Sequence, residues 1–338
     1  MTLKELAKLA NVSVSTVSRV INGDENSASA KTREKIWKLV RETNYIPNTA
    51  AQKLRKGIKN TKMKTHNIAC VFARTTDGLS DPFFSQIFQA IEQEAIKNSC
   101  TVTGVFSAQS MNSDGIYDDL ILSEPDGIIL IGRYSKPLYT YLSKKFKNIV
   151  YTGLNKVSDE CDQIICDGYT AAKTAVKRLH SLGHSNIGYI GEMSNEARYR
   201  GYFDALVELK IPVERNFIID APLSVKGGYE AVEKLLKISS DTPTAVFCAN
   251  DITAIGVLKA LSEANIKVPD DISVISIDNI EMCQFVSPML TSIDIPKTDM
   301  GKFAFKILLD RIKGGHKLPV KLEVPFKIIQ RESCAARK

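Results

Sequence analysis

From residue 67 onward the chain alternates short apolar runs with amphipathic stretches, and that alternation constrains its fold more than any other feature. NIACVFA, TVTGVF, DGIILI, NIVYT and QIIC read as strands, and PFFSQIFQAIEQEAIKN reads as a helix. The series restarts with NIGYIG, ARYRGYFDALVEL, FIID, TAVFCA, NDITAIGVLKALSEA and SVISID. A strand followed by a helix of about 10–15 residues returns the chain to its starting edge, so successive strands pair in parallel and helices cover both faces. Two such series predict an α/β body of two lobes. Ligands of such sheets bind beyond the strand C-termini, which places the expected site in a cleft between the lobes.

The first fifth of the chain is different. Residues 1–65 carry 14 Lys and Arg against 5 Asp and Glu, a surplus of nine, whereas the remainder carries 31 against 33. A basic head on a nearly neutral body points to a polyanionic partner. The head is also patterned. Thr2 and Glu5 fit a capping box, and Leu3, Leu6, Ala7 and Ala10 form one apolar helical face. Asn11 and Val12 make a turn, and Ser13 is a good N-cap for a second helix with Val17, Val20 and Ile21 as its buried stripe. Asn22-Gly23 stops it. A third helix runs from about Ala30 to Thr43, capped by Ser29, with Ile36 and Val40 inward.

Two short helices joined by a tight turn and closed by a third form a helix-turn-helix, whose second helix enters the DNA major groove. Small residues there let the backbone approach the bases, and an arginine can pair with guanine through two hydrogen bonds. Val14, Ser15 and Arg19 are therefore the candidates for base edges, and Thr16, Ser18 and Asn22 for the DNA backbone. A purely structural helical bundle is the competing reading.

LKELAKLANVSVSTVSRVING, followed by SAKTREKI and NYIPNTAAQKL, resembles the head of the lactose- and galactose-repressor (LacI/GalR) family. The body resembles that family's effector domain, itself similar to periplasmic sugar-binding proteins, through DPFFSQI, SLGHSNIGYIG, SNEARYRGYFDAL, FCANDITAIGVLKAL and PDDISVISIDN. The resemblance implies a helix-turn-helix domain over 1–46 and a hinge helix and linker over 47–65. It implies an effector-binding and dimerisation domain over 66–338, with lobe 1 near 66–165 and 295–324 and lobe 2 near 166–294 and 325–338. It further implies that Leu54 wedges into the minor groove of the operator and that Ala51 sits where two hinges meet in a homodimer.

Five residues at strand ends are candidate effector contacts. Arg198, three before Gly201, matches the family's R-x-x-G position for sugar hydroxyls. Asn250 matches its N-D pair, and Asp278 follows the strand SVISI. Asp81 precedes Pro82 and Phe83, and Phe83 could stack on a sugar face. Each has a structural alternative: Arg198 a surface ion pair, Asp81 a helix cap. Asp251 is expected to cap its helix. Where some family members carry an acid after the strand NIVYT, this chain has Gly153, Leu154 and Asn155, which removes one expected sugar contact.

The resemblance thus implies a double-stranded operator and a small carbohydrate effector as partners, with galactoside-responsive members the most similar through D-P-F-F. The effector is expected to release the operator; a ligand that strengthens DNA binding is the alternative within the class. From another class, a sugar-binding protein or sugar-modifying enzyme with an incidental basic head stays open. No phosphate loop, nucleophile elbow or dinucleotide fingerprint occurs, so an enzyme reading has no residues to carry it, and no cofactor is expected. His180 and His184 lack an acidic partner at metal spacing, so no metal site is expected. Seven scattered cysteines without a C-x-x-C pair suggest reduced thiols in a cytoplasmic protein. No apolar run is long enough to span a membrane, and MTLKELAKLA carries no cleavage site.

Overall fold

The computed structural model describes residues 3–21, 28–42, 65–73, 80–108, 120, 123–238 and 242–337. The chain divides into two compact units, Met1–Lys64 and Thr65–Lys338.

The first unit holds three helices, α1 (Leu3–Ala10), α2 (Val14–Ile21) and α3 (Ala30–Glu42). Asn11 takes a left-handed φ of 58°, and the following Val12 N–H closes on the Ala7 carbonyl at 3.1 Å. Asparagine tolerates this conformation, so the turn between α1 and α2 is tight. Ser13 Oγ then accepts from the Thr16 N–H at 3.0 Å, and Ser29 Oγ accepts from the Thr32 N–H at 3.3 Å, capping α2 and α3. Leu6, Ala7, Ala10, Val17, Val20 and Ile36 form the buried core, with Val14 and Val40 packed at its margin. The capping role read for Thr2 and the stop at Asn22-Gly23 lie outside the described residues.

The second unit contains two six-stranded sheets. Sheet one has the order β11-β5-β4-β3-β1-β2, all parallel. Its strands are β1 (Asn67–Phe72), β2 (Thr101–Ser107), β3 (Gly127–Ile131), β4 (Ile149–Gly153), β5 (Asp162–Ile165) and β11 (Lys321–Glu323). Sheet two has the order β12-β10-β9-β8-β6-β7, from β6 (Ile187–Gly191), β7 (Ile218–Asp220), β8 (Ala245–Cys248), β9 (Ser273–Asp278), β10 (Thr291–Asp294) and β12 (Lys327–Ile329). Only β12 departs from the parallel pattern, running antiparallel to β10. The chain passes between the sheets after β5, after β10 and after β11. Central strands such as β3 and β6 are buried along their whole length, as strands covered on both faces must be.

The helices that place the cleft residues are α4 (Pro82–Lys97) and α5 (Lys136–Lys145) in lobe 1, and α6 (Gly168–Ser181), α7 (Ala197–Glu208), α8 (Val225–Ile238) and α9 (Asp251–Glu263) in lobe 2. Helix α10 (Lys297–Ile312) follows β10 and packs on α4 and the strands of sheet one. Its C-terminal end is tied to the buried Asp162, whose Oδ1 accepts from Arg311 Nη2 at 2.8 Å and from the Val320 N–H at 2.7 Å. Burial would raise this carboxyl, but Arg311, the Val320 amide and His316 together hold it below the usual carboxylate range. All seven cysteines are buried free thiols. Among the described residues no helix is long and apolar enough to cross a membrane.

Gly201 shows why the R-x-x-G motif ends in glycine. Helices α6 and α7 approach so closely there that a Cβ would lie 2.3 Å from the Tyr169 carbonyl oxygen and 3.0 Å from Ala172 Cβ. A backbone atom cannot swing aside, so a methyl group must push the helices apart. Gly201→Ala is expected to destabilise the protein by about 1–3 kcal/mol, the usual range for overpacking. Thermal denaturation checks this; an unchanged melting temperature would mean that the two helices are free to separate.

Candidate functional site

Two regions hold the candidate residues. In the head, the face of α2 that carries Ser15 and Arg19 is exposed, whereas Val14, Thr16 and Ser18 are half-buried. Val14 also packs against the head's core. Ser13 Oγ lies 2.7 Å from Ser15 Oγ and 2.8 Å from Thr16 Oγ1, so the hydroxyls at the helix start form one small network beside the orphan amides of its first turn. Asn22, Ala51 and Leu54 lie outside the described residues, as does the whole stretch 48–56 read as a hinge.

In the body, a cavity of about 420 Å³ opens at the C-terminal ends of both sheets. Lobe 1 lines it with residues at or just past the ends of β1, β3 and β4 (Ala73, Gly132, Arg133, Gly153, Leu154 and Asn155) and with the start of α4. Lobe 2 lines it with residues that follow β6, β7 and β8, with Asp278 at the end of β9, and with the start of α7. All five residues singled out at strand ends, Asp81, Phe83, Arg198, Asn250 and Asp278, are in this lining.

Their local roles differ. Asp81 caps α4, accepting the Phe83 N–H at 2.8 Å, so the capping alternative holds for a residue that also faces the cavity. The Phe83 ring packs edge-on against Phe84, 5.3 Å between centroids, and Phe84 lines the same cavity. Asn250 caps α9 through its Oδ1, which accepts the Thr253 N–H at 3.0 Å. This corrects the reading of Asp251 as the cap. Asp251 is fully buried and accepts from Ser276 Oγ at 2.5 Å, Ser292 Oγ at 2.6 Å, the Ile280 N–H at 2.8 Å and Cys283 Sγ at 3.1 Å. It knits β9, β10 and the turn between them, where an asparagine cap frees it to point inward.

Arg198 is no surface ion pair. It is 5% exposed. Its Nε and Nη2 donate to the two carboxylate oxygens of Glu196 at 2.8 and 2.9 Å, and its Nη1 donates to the Ala249 carbonyl at 2.7 Å. Glu196 in turn caps α7 through the Arg198 N–H. From the other lobe, Arg133 Nη1 donates to Glu196 Oε2 at 2.7 Å and Nη2 donates to Glu192. Burial would raise the Glu196 carboxyl, but the guanidinium groups of Arg198 and Arg133 hold it down to about 2.

Arg133, Glu192 and Glu196 are not singled out by the sequence, and Asn155, read there as part of a lost sugar contact, lines the cavity. Glu192 follows β6 directly and Arg133 stands two residues past the end of β3, and that position was the available signal. Glu196 could have been found as an acid at the N-cap of a helix beginning ARYRG. The pairing across lobes has no trace in sequence order.

Asp278 sits at the end of β9 in an unfavourable backbone conformation, φ 122°, followed by Asn279 at φ 51°. Non-glycine residues stay in such regions only when their surroundings over-determine them. Here the buried Lys297 Nζ donates to the carbonyls of Asp278, Asn279 and Ile295, while Arg331 Nη2 donates to Asn279 Oδ1 at 2.6 Å. Asp278 Oδ1 is buried without a hydrogen-bond partner among the described residues. Burial, followed by the charge of Asp251, raises the Asp278 carboxyl well above the usual range, against the pull of Arg198. Its neutral form, which can donate a hydrogen bond, is favoured.

Of the two histidines weighed as metal ligands, His184 is buried, its ring nitrogens 3.0 Å from Thr244 Oγ1 and 3.1 Å from the Ala335 carbonyl. Among the described residues no group of three or more His, Cys, Asp or Glu side chains could hold a metal ion.

Comparison with known proteins follows the same division. Residues 2–48 match the profile of the bacterial regulatory proteins, lacI family, and residues 176–334 match a periplasmic binding protein-like domain. The HTH-type transcriptional repressor PurR of Escherichia fergusonii is 31% identical over 342 residues, covering 99% of this chain and 97% of that protein. Among solved structures, a complex of the transcriptional regulator CelR with cellobiose is 25% identical with a TM-score of 0.73, covering 98% of this chain and 99% of that one. A Lac repressor dimer bound to operator and the anti-inducer ONPF is 26% identical, also with a TM-score of 0.73, covering 99% of both chains.

The elevated Asp278 carboxyl has a consequence for stability. A group whose folded pKa lies above its unfolded value of about 3.9 binds its proton more tightly when folded, so its contribution falls as pH rises above that value. Asp278→Asn removes the titration and keeps the shape. The variant should melt a few degrees above the parent near neutral pH, and the gain should vanish as pH is lowered toward about 4. Thermal melts across that range are the check; a variant that is less stable than the parent at neutral pH would show Asp278 to be ionised and held in that form by Arg198 and Lys297.

Proposed function

This chain belongs to the lacI family of bacterial regulatory proteins, and from that premise we propose that it is a homodimeric repressor whose grip on an operator is released by a neutral carbohydrate bound between its lobes. The observation that carries this reading is the composition of the cavity. Both lobes supply polar side chains to a single site at the strand ends, so a ligand that touches both favours one angle between them. The alternation of carboxylates, amides and guanidinium groups suits a polyol, which presents adjacent donors and acceptors, and the Phe83 and Phe84 rings suit the apolar face of a sugar. Both arginines of the lining already have carboxylate partners, which disfavours an anionic ligand. The CelR complex with cellobiose supports the ligand class, and the Lac repressor dimer on its operator supports the assembly.

In this reading two heads take two half-sites. Val14, Ser15 and Arg19 read base edges, while Thr16, Ser18 and Asn22 hold the DNA backbone. Leu54 enters the minor groove, with Ala51 at the contact between hinges. Asp81, Phe83, Arg198, Asn250 and Asp278 contact the effector. Binding changes the lobe angle and thereby the spacing of the hinges, and operator affinity falls by a coupling of about 1–3 kcal/mol.

Titration of operator DNA with and without a panel of uncharged mono- and disaccharides, galactosides included, tests this. Operator affinity should fall steeply with salt, because phosphate contacts release counterions. Arg19→Ala should cost about 1–3 kcal/mol on the cognate sequence and relax discrimination at one base pair. A sugar of the panel should weaken operator binding. A sugar that strengthens it would reverse the sign and make the ligand a co-repressor. Binding of sugars without any preference among DNA sequences would replace the proposal with a plain carbohydrate-binding protein.

A further inference from the structure

Arg133 stands two residues past the end of β3 in lobe 1, yet among the described residues the hydrogen-bond acceptors of its guanidinium all belong to lobe 2. Nη2 donates to the Glu192 carboxylate, and Nη1 donates to Glu196 Oε2 at 2.7 Å. The carbonyls of Asn195 and Ser194 lie at 3.3 and 3.4 Å from the same Nη1. The side chain is 19% exposed and Glu196 only 1%. This pairing is mostly removed from water, where an ion pair with a fixed fork geometry is worth more than one on the surface. Glu196 cannot turn away, because Arg198 holds both its oxygens from behind. Arg133 therefore meets an acceptor already fixed in place, and little side-chain freedom is lost on that side of the cleft.

We propose that Arg133 is a latch across the cleft, which closes the two lobes with the chain's own ion pairs and so sets how far their equilibrium favours the closed form before any effector acts. The inference rests on the reading of the body as two effector-gated lobes and adds the residue that biases them. Breaking the latch moves lobe 1 away from the loop 192–196. Every effector then has to supply the closing free energy itself, which lowers its apparent affinity by the fraction of molecules that remain closed.

The test needs neither DNA nor sugar. The native cysteines are all buried, so nitroxide labels can be placed on Thr140→Cys in lobe 1 and Asn216→Cys in lobe 2, both exposed positions of the full-length protein. Electron–electron double resonance then reports the distance distribution between the lobes. The parent is expected to give a single narrow distribution. Arg133→Gln removes both carboxylate pairs and should lengthen and broaden it; Glu192→Gln removes one of them and should do so to a smaller extent, and the double variant should match Arg133→Gln alone, because that change already removes both pairs. Glu192 is half-buried and carries no cap, so its variant preserves the fold if Arg133→Gln does not; circular dichroism verifies this. A distribution unchanged in Arg133→Gln or, should that variant not fold, in Glu192→Gln, or a double variant shifted beyond Arg133→Gln alone, would overturn the latch. Since the readout is the lobe distance alone, that outcome is distinct from a failure to bind operator or sugar.

Discussion

A single carboxylate ties together the strand ends that line the cavity between the lobes. Glu196 is buried, and a buried carboxylate without partners costs several kcal/mol. It is tolerated because two guanidinium groups converge on it, Arg198 from its own helix and Arg133 from the opposite lobe. The same group caps α7. Arg198, fixed by this pairing, carries the connection on to the Ala249 carbonyl at the end of β8. The ends of β3, β6 and β8 and the start of α7 are thus held by one ionic cluster. Its members are interdependent: loss of Glu196 would leave the buried Arg198 without its carboxylate partner, whereas loss of Arg133 leaves the Glu196–Arg198 pair in place.

Beside this rigid cluster lies a strained one. Asp278 and Asn279 keep positive φ angles at the end of β9 because Lys297, from the first turn of α10, donates to both their carbonyls. Helix α10 belongs to lobe 1, while β9 belongs to lobe 2, so the strained pair and its restraint lie on opposite sides of a crossover. Two such tethers, Arg133 near one edge of the cleft and Lys297 near the crossover, link side chains of one lobe to acceptors of the other. A ligand that engages Asp278 acts on the residue whose backbone is least relaxed, and packed elements respond to such changes by switching between arrangements more readily than by bending.

Much of this architecture could be read from residue order. The alternation of strands and helices is a local pattern with a period that sterics impose, and the caps Ser13, Ser29 and Asp81 announce their helices within three residues. Ligand sites of parallel sheets lie at strand C-termini, and there Asp278 ends β9 and Asn250 follows β8, while Asp81, Phe83 and Arg198 stand at the starts of the helices that follow β1 and β6; the motifs R-x-x-G and N-D mark Arg198 and Asn250 directly. What the order of residues hides is partnership. Arg133 and Glu196 are brought together only when the two lobes meet. Asp251 was misassigned because its neighbour Asn250 meets the capping need equally well, and only the positions of Ser276 and Ser292 reveal that the aspartate turns inward. The short strands β11 and β12, three residues each, carry no periodic signal at all.

The central claim is that occupancy of the cleft and occupancy of the operator are linked. Linkage is reciprocal, so the most direct measurement is the affinity of the cleft for its sugar with the protein free and with the protein saturated by operator duplex, by titration calorimetry. The account predicts that operator weakens sugar binding by the same factor by which the sugar weakens operator binding; equal sugar affinity in the two states would contradict it.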